Sequence, residues 1–236
     1  MIDQQGVLFQ EKKKKAVESC FSDEKLSTDG GSILLKAADR RMGLIGAMSA
    51  MLSDSRMPGK VEHPLTDLMA QRIYSIALGY PDGNDAARLK DDGMLKLLCD
   101  CDPDSASPLG SQPTISRFEN ALNARALLRL GQAYARNVLR YQKEQRRGIR
   151  RPKRIILDLD PTCDPTHGRQ QLTLFNGYYD RWCYLPVVVT VSFGNELRKY
   201  PLAALLRPGN ASAMVGVPGL LRRTVQAVRE FFPHTP

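Results

Sequence analysis

The chain has 236 residues, of which 42% are hydrophobic and 25% charged, and a net charge of +9. These values describe an ordinary soluble globular protein of one large domain or two modest ones, and no run approaches the ~18 to 20 apolar residues of a membrane span. The basic balance favours a polyanionic partner, nucleic acid first and a membrane surface second.

Residues 1–15 lack the ordered n-region, h-region and cleavage site of a secretory signal, so a cytoplasmic location is expected. Lys12 to Lys15 form a basic run, and Val17, Ser19 and Phe21 alternate with polar residues as in a short strand. Leu34, Leu35, Ala38, Met42, Ile45, Met48 and Leu52 keep helical spacing, which predicts one helix over residues 33–52. Pro64 suits a first helical turn, and Leu65, Leu68, Met69, Ile73 and Ile76 predict a second helix. A short helix is expected over 91–99, then a Pro- and Gly-rich loop over 102–113.

A long helix is predicted over 114–141. Ser116 and Glu119 have the capping-box spacing at its start. Past it Arg146, Arg147, Arg150, Arg151, Lys153 and Arg154 form a basic connector. Strands follow over 154–160, 183–193 and 197–206, then an amphipathic helix over 217–232 that starts at Pro218. A boundary near residue 150 divides a mostly helical region, 1–150, from a mixed region, 151–236; the fold class is α+β or α/β.

The five cysteines, Cys20, Cys99, Cys101, Cys163 and Cys183, are odd in number and irregularly spaced, which argues against a disulfide framework. Cys99-x-Cys101 with a distant His167 lacks the usual zinc-ligand spacings.

The most informative segment is residues 154–168, RIILDLDPTCDPTHG. An apolar strand delivers Asp158 and Asp160 to its C-terminal end. Two residues apart, they share a face with Cα atoms ~6 to 7 Å apart. Carboxylate oxygens suit Mg2+ or Mn2+. Three readings arise. One is a strand and an Asp-Pro turn whose carboxylates cap backbone amides. Against it, Asp158 lies in an apolar run, where a buried carboxylate needs compensation. The second is a haloacid-dehalogenase-like phosphatase, whose Asp-x-Asp-x-Thr motif matches residues 158–162. That family places the motif first and needs a later Lys and acidic pair; here the motif comes late, and no two of the later acids are adjacent. The third is the first strand of an RNase H-like transposase domain, a central strand of its sheet that hands Asp160 to a divalent ion.

The chain resembles the DDE-type insertion-sequence transposases, in particular the group numbered thirteen-eighty. The resemblance rests on residues 26–31, LSTDGG; Gln71-Arg72-Ile73 with Ala77-Leu78-Gly79-Tyr80; Asn84-Asp85; residues 111–120, SQPTISRFEN; residues 158–168; Asn176-Gly177-Tyr178-Tyr179; and residues 205–210, LLRPGN. It implies a helical N-terminal DNA-binding region and the first part of an RNase H-like DDE catalytic domain. It implies Mg2+-dependent cleavage and transfer of DNA strands, with double-stranded DNA at transposon terminal inverted repeats as partner. Asp160, followed by Pro161-Thr162, takes the first catalytic, metal-binding role, and Asp158 is the runner-up.

The resemblance also implies a second Asp on a fourth strand and a later Glu, which have no positions in this sequence. The expectations that follow are a truncated domain with an exposed sheet edge, no stable Mg2+ binding, and partnership as a homodimer or with a full-length transposase. The alternative is a non-catalytic DNA-binding remnant or inhibitor of transposition. A bacterial, nucleoid-associated location follows, without a membrane.

The expected DNA contacts are Arg117, Arg140, Lys143, Arg146, Arg147, Arg150, Arg151 and Lys153, with Glu144 the only acid between Arg125 and Arg154. Arg117 would read a base edge or phosphate from a helix that begins near Thr114. A solvated helix face and local pairing of Arg117 with Glu119 are the bland alternatives.

Overall fold

Gly43 ends the first helix in the left-handed conformation, φ 64°, with its N–H on the Asp39 carbonyl. The single helix expected over 33–52 is therefore two, α1 (Ile33–Met42) and α2 (Leu44–Ser49). The computed structural model describes residues 29–105, 107–148, 152–168 and 170–235. The expected strand at Val17 to Phe21, the Lys12 to Lys15 run, Cys20 and two of the proposed DNA contacts, Arg150 and Arg151, lie outside them. The chain divides into two compact units, Met1–Ile45 with Asp54–Ala121, and Gly46–Ser53 with Leu122–Pro236.

The first unit is helical. α3 (Leu65–Ala77) follows Pro64 and buries Leu68, Met69 and Tyr74. α4 (Ala86–Leu89) and α5 (Gly93–Leu98) come next, and the Asp92 carboxylate caps α5 by accepting from Leu95 N–H at 2.7 Å. α6 (Gln112–Asn120) packs on α3 through Ile115 and Phe118. The loop before α6 is held by Gln71, whose amide donates to the Gly110 carbonyl at 2.8 Å. A side chain at Gly110 would meet Leu68 and Gln71 at 2.8 and 2.9 Å, so this close approach needs glycine.

The second unit begins with a correction. The helix expected over 114–141 breaks at Ala121 to Asn123, and α7 (Ala124–Gln145) starts afresh, with Asn123 Oδ1 accepting from Ala126 N–H at 2.9 Å. The asparagine is a better cap than any residue inside the apolar run. Ser116 is likewise inside α6 and caps nothing; the N-cap is Ser111, with Pro113 in the first turn. The strands are β1 (Ile155–Pro161), β2 (Asp164–Pro165), β3 (Leu174–Asn176), β4 (Arg181–Tyr184), β5 (Val187–Phe193) and β6 (Tyr200–Leu205), followed by α8 (Val217–Phe231).

All pairings are antiparallel, in two sheets ordered β1-β5-β6 and β2-β4-β3. Val187, Val189, Val191 and Phe193 alternate inward over β5. With Leu157, Leu159 and Leu202 they meet Val138 and Leu139 of α7 and Leu220 and Val228 of α8. Each such fully buried side chain contributes roughly 1.5–3 kcal/mol. The sequence boundary near residue 150 separates connector from strand, whereas packing groups α7 with the sheet. The mixture of helix and antiparallel sheet is α+β.

Candidate metal and nucleic-acid site

β1 alternates: Ile155, Leu157 and Leu159 are half-buried against the core, and Ile156, Asp158 and Asp160 are exposed on the other face. The sequence reading put Asp158 inside a buried strand. The period of two instead sends both acids to solvent, so the burial argument for a compensating metal does not apply. The shared face, expected from the spacing, is present. β1 was expected as a central strand; among the described residues it pairs only with β5, and its other edge carries no neighbour.

The two acids differ in their partners. Asp158 accepts a hydrogen bond from Lys199, and both side chains are about half exposed. The same bond holds the Lys199 ammonium above its ordinary pKa. Asp160 makes no hydrogen bond or ion pair among the described residues. It is the carboxylate free to take a ligand. Lys199 carried no signal in the sequence reading, because it lies outside β6 and reaches Asp158 only through the register of three strands.

The ladder beside Asp160 is longer than either sheet alone. Asp160 faces Val188, Thr162 N–H donates to the Pro186 carbonyl at 2.9 Å, and Asp164 faces Tyr184. The register does not slip between β1–β5 and β2–β4. Asp164 is exposed beside Tyr184, and His167 is exposed in the loop that follows β2. The Asn176 side chain accepts from Tyr178 and Tyr179 N–H and donates to the Gly209 carbonyl at 2.6 Å, closing the turn of the β3–β4 hairpin. Arg207 is buried, with its guanidinium on the carbonyls of Leu185, Ser212, Ala213 and Val215.

The expected DNA contacts sort into engaged and free. Arg146 is engaged. It bridges both Glu196 oxygens at 2.7 and 2.6 Å, donates to Gln142 at 2.5 Å, and lies 4.1 Å over the Phe193 ring. Arg140 pairs with Glu144 at 2.8 Å. Lys143, Arg147 and Lys153 are exposed and make no ion pair among the described residues. Arg117 is exposed on α6, beside a shallow depression lined by Gln112, Ser116 and Asn120. The local alternative for Glu119 is realised with another partner, Arg72 of α3, at 2.5 Å.

The family described as Transposase DDE domain group 1 matches residues 9–236. The chain belongs to this family of DDE-type transposases. The match overrides the phosphatase reading of residues 158–162. No curated protein and no solved structure matches the chain.

A DDE domain implies a divalent cation. Asp160 and Asp158 fit in kind, being hard oxygen donors on one exposed face. They fall short in number, since the described residues contain no group of three His, Cys, Asp or Glu side chains able to hold a metal. No helix among the described residues is long and apolar enough to cross a membrane.

Proposed function

We propose that this chain is a transposase component that binds double-stranded DNA at transposon terminal inverted repeats, with Asp160 as its first metal-binding carboxylate. The observation that carries the reading is Asp160 itself: exposed, without a hydrogen bond or salt bridge among the described residues though its charge acts on Lys199, and at the end of a strand in a basic unit of a transposase-family chain. The order of three antiparallel strands followed by α8 supports an RNase H-like domain. The resemblance to the insertion-sequence group numbered thirteen-eighty supports the choice of terminal repeats as target, and a cytoplasmic, nucleoid-associated location follows from it.

Asp160 and, after release from Lys199, Asp158 would hold Mg2+ or Mn2+. The bound ion would supply charge neutralisation at a scissile phosphate. What the chain itself does is clearer. Asp160 presents a free carboxylate, Lys199 offsets the charge of Asp158, and the exposed cations Lys143, Arg147 and Lys153 neutralise DNA phosphates. Arg117, Arg140, Arg146, Arg150 and Arg151 complete the proposed contact set, with residues 1–150 as the DNA-binding region and 151–236 as the catalytic domain.

The small number of carboxylates beside Asp160 favours a second reading, a non-catalytic DNA-binding remnant that pairs with a full-length transposase or with its own copy and inhibits transposition. Purified chain with terminal-repeat duplex separates the two. Mg2+-dependent nicking that disappears in Asp160→Ala supports the enzyme; tight duplex binding without nicking supports the remnant. Absence of duplex binding at low salt would sink both.

A further inference from the structure

Several large side chains on the second unit face solvent without an apolar partner element. Trp182 is 57% exposed, Phe175 46% and Tyr178 88%. Phe175 and Trp182 are directly opposed across β3 and β4, with ring centroids 6.1 Å apart at 67°. The pair packs edge to face across the strands, yet leaves about half of each ring open to solvent. The adjacent residue Cys183, in the other phase, is fully buried.

Register ties this pair to Asp160. From Trp182 to Phe193 the even-numbered residues face out and the odd-numbered ones are buried. Trp182 therefore shares a face with Tyr184, Val188 and Thr190, and across the ladder with Asp164, Asp160 and Asp158. Counting along β4 and β5 from Val188, opposite Asp160, Tyr184 is ~13 Å away and Trp182 ~20 Å at ~3.3 Å per residue.

We infer that the Phe175–Trp182 face is a stacking platform for unpaired bases of the DNA strand whose phosphate is presented to Asp160, ~20 Å along the same ladder. The inference rests on the proposed function and deepens it by naming the substrate form, a DNA end with unpaired bases. Every base offers a π-face to an exposed indole or phenyl ring, and such stacking is sequence-tolerant. Asp164, without a cation of its own among the described residues, disfavours phosphates between Asp160 and the ring pair, so that stretch of the strand turns its bases rather than its backbone toward this face. The phosphates are taken by the flanking cations, and the unit as a whole carries nineteen Lys and Arg against seven Asp and Glu. That charge favours a nucleic acid over a second copy of the same basic unit, which would be repelled.

Trp182 is the only tryptophan in the chain, so its emission reports this site alone. The full chain is titrated with a blunt duplex and with the same duplex carrying a single-stranded tail. The tailed duplex is expected to quench Trp182, and the blunt one to leave it nearly unchanged. A Phe175→Ala/Trp182→Ala variant should lose about ten-fold or more in affinity for the tailed duplex and stay within about two-fold for the blunt one. Trp182→Phe should keep most of the tail preference, and guards against a folding artefact. Duplex binding with no quench and no tail preference would overturn the platform and leave the proposed function standing. Loss of binding to every DNA form in the unmodified chain would overturn both. Self-association abolished by the double variant, with DNA binding unchanged, would assign the face to a second copy instead.

Discussion

The two compact units carry opposite charge. Residues 1–45 and 54–121 hold fifteen Lys and Arg against eighteen Asp and Glu, and residues 46–53 and 122–236 hold nineteen against seven. The net +9 is therefore a property of the sheet-bearing unit, and a whole-chain average conceals where the phosphate attraction lies. The cations also differ in use. In the helical unit Lys36 pairs with Asp100, Arg56 with Asp54 and Arg72 with Glu119. In the other unit Arg125, Arg129, Lys143, Arg147 and Lys153 are exposed and make no ion pair among the described residues. Arg136, Arg140, Arg146 and Lys199 of the second unit are paired as well, so the difference lies in the surplus: nineteen cations against seven acids leave the second unit with positive charge for a partner.

The largest contrast lies in two glycines. A Cβ at Gly209 would sit 2.2 Å from the Leu174 carbonyl oxygen and 2.3 Å from that of Cys183, both backbone atoms that cannot give way. At Gly110 the obstacles are the ends of the Leu68 and Gln71 side chains. Gly209→Ala is expected to lower unfolding free energy by about 3 kcal/mol or more, and Gly110→Ala by about 1–2 kcal/mol. Arg207→Ala should match the larger figure, because it strips the charged donor from the carbonyls of Leu185, Ser212, Ala213 and Val215. Urea midpoints measure all three; a Gly110 variant less stable than the Gly209 variant would contradict the geometry.

Next comes DNA. Replacing Lys143, Arg147 and Lys153 together by Ala should reduce the slope of log affinity against log salt by about 3. Arg117→Ala in the acidic unit should reduce it by about 1 at most. A larger change from Arg117 alone would move the interface to the helical unit and break the comparison. Binding isotherms at several salt concentrations decide it.

How much of this was legible follows from the period of each signal. β1, β5 and α8 were readable because a strand alternates every two residues and a helix every 3.6 over a long enough run. The shared face of Asp158 and Asp160 followed, whereas the strand expected over 183–193 is two strands of different sheets, β4 and β5. The break at Ala121 to Asn123 was missed because apolar spacing runs across it, and only the Asn123 cap marks the restart. The ties of Arg146 to Glu196 and Phe193 were not legible, because these residues lie fifty and forty-seven positions later and are brought to it by folding alone. Lys199 beside Asp158 was hidden for the same reason. The exposed Trp182 could have been found, since it falls in the polar phase of the alternation that continues into β5.

Arg146 and Arg147 offer a smaller test inside the basic connector. Arg146→Ala should cost about 1 kcal/mol, since it removes one guanidinium nitrogen shared between both oxygens of a part-exposed Glu196 and a guanidinium stacked on a buried ring. Arg147→Ala should stay within about 0.5 kcal/mol, as an exposed side chain without an ion pair. Thermal unfolding of each variant checks the difference. Equal losses would mean that the Glu196 contact contributes nothing.

The smallest effect is expected in the helical unit, at Tyr74. Its ring is buried on α3, and its hydroxyl has no hydrogen-bond partner among the described residues. Burial, with the Asp39 carboxylate adding to it, pushes the phenol well above its ordinary pKa. The folded state thus holds Tyr74 neutral while the unfolded chain ionises near pH ~10. The sign follows: the stability linked to this group is intact below that pH and is lost as pH rises above it. Tyr74→Phe removes an unpaired buried hydroxyl, so it should be neutral or stabilising by up to about 1 kcal/mol at pH 7. It should also lessen the fall in unfolding midpoint between neutral and alkaline pH. A clear loss of stability in Tyr74→Phe at neutral pH would mean that the hydroxyl has a partner, and that the helical unit spends its polar groups as fully as its charges.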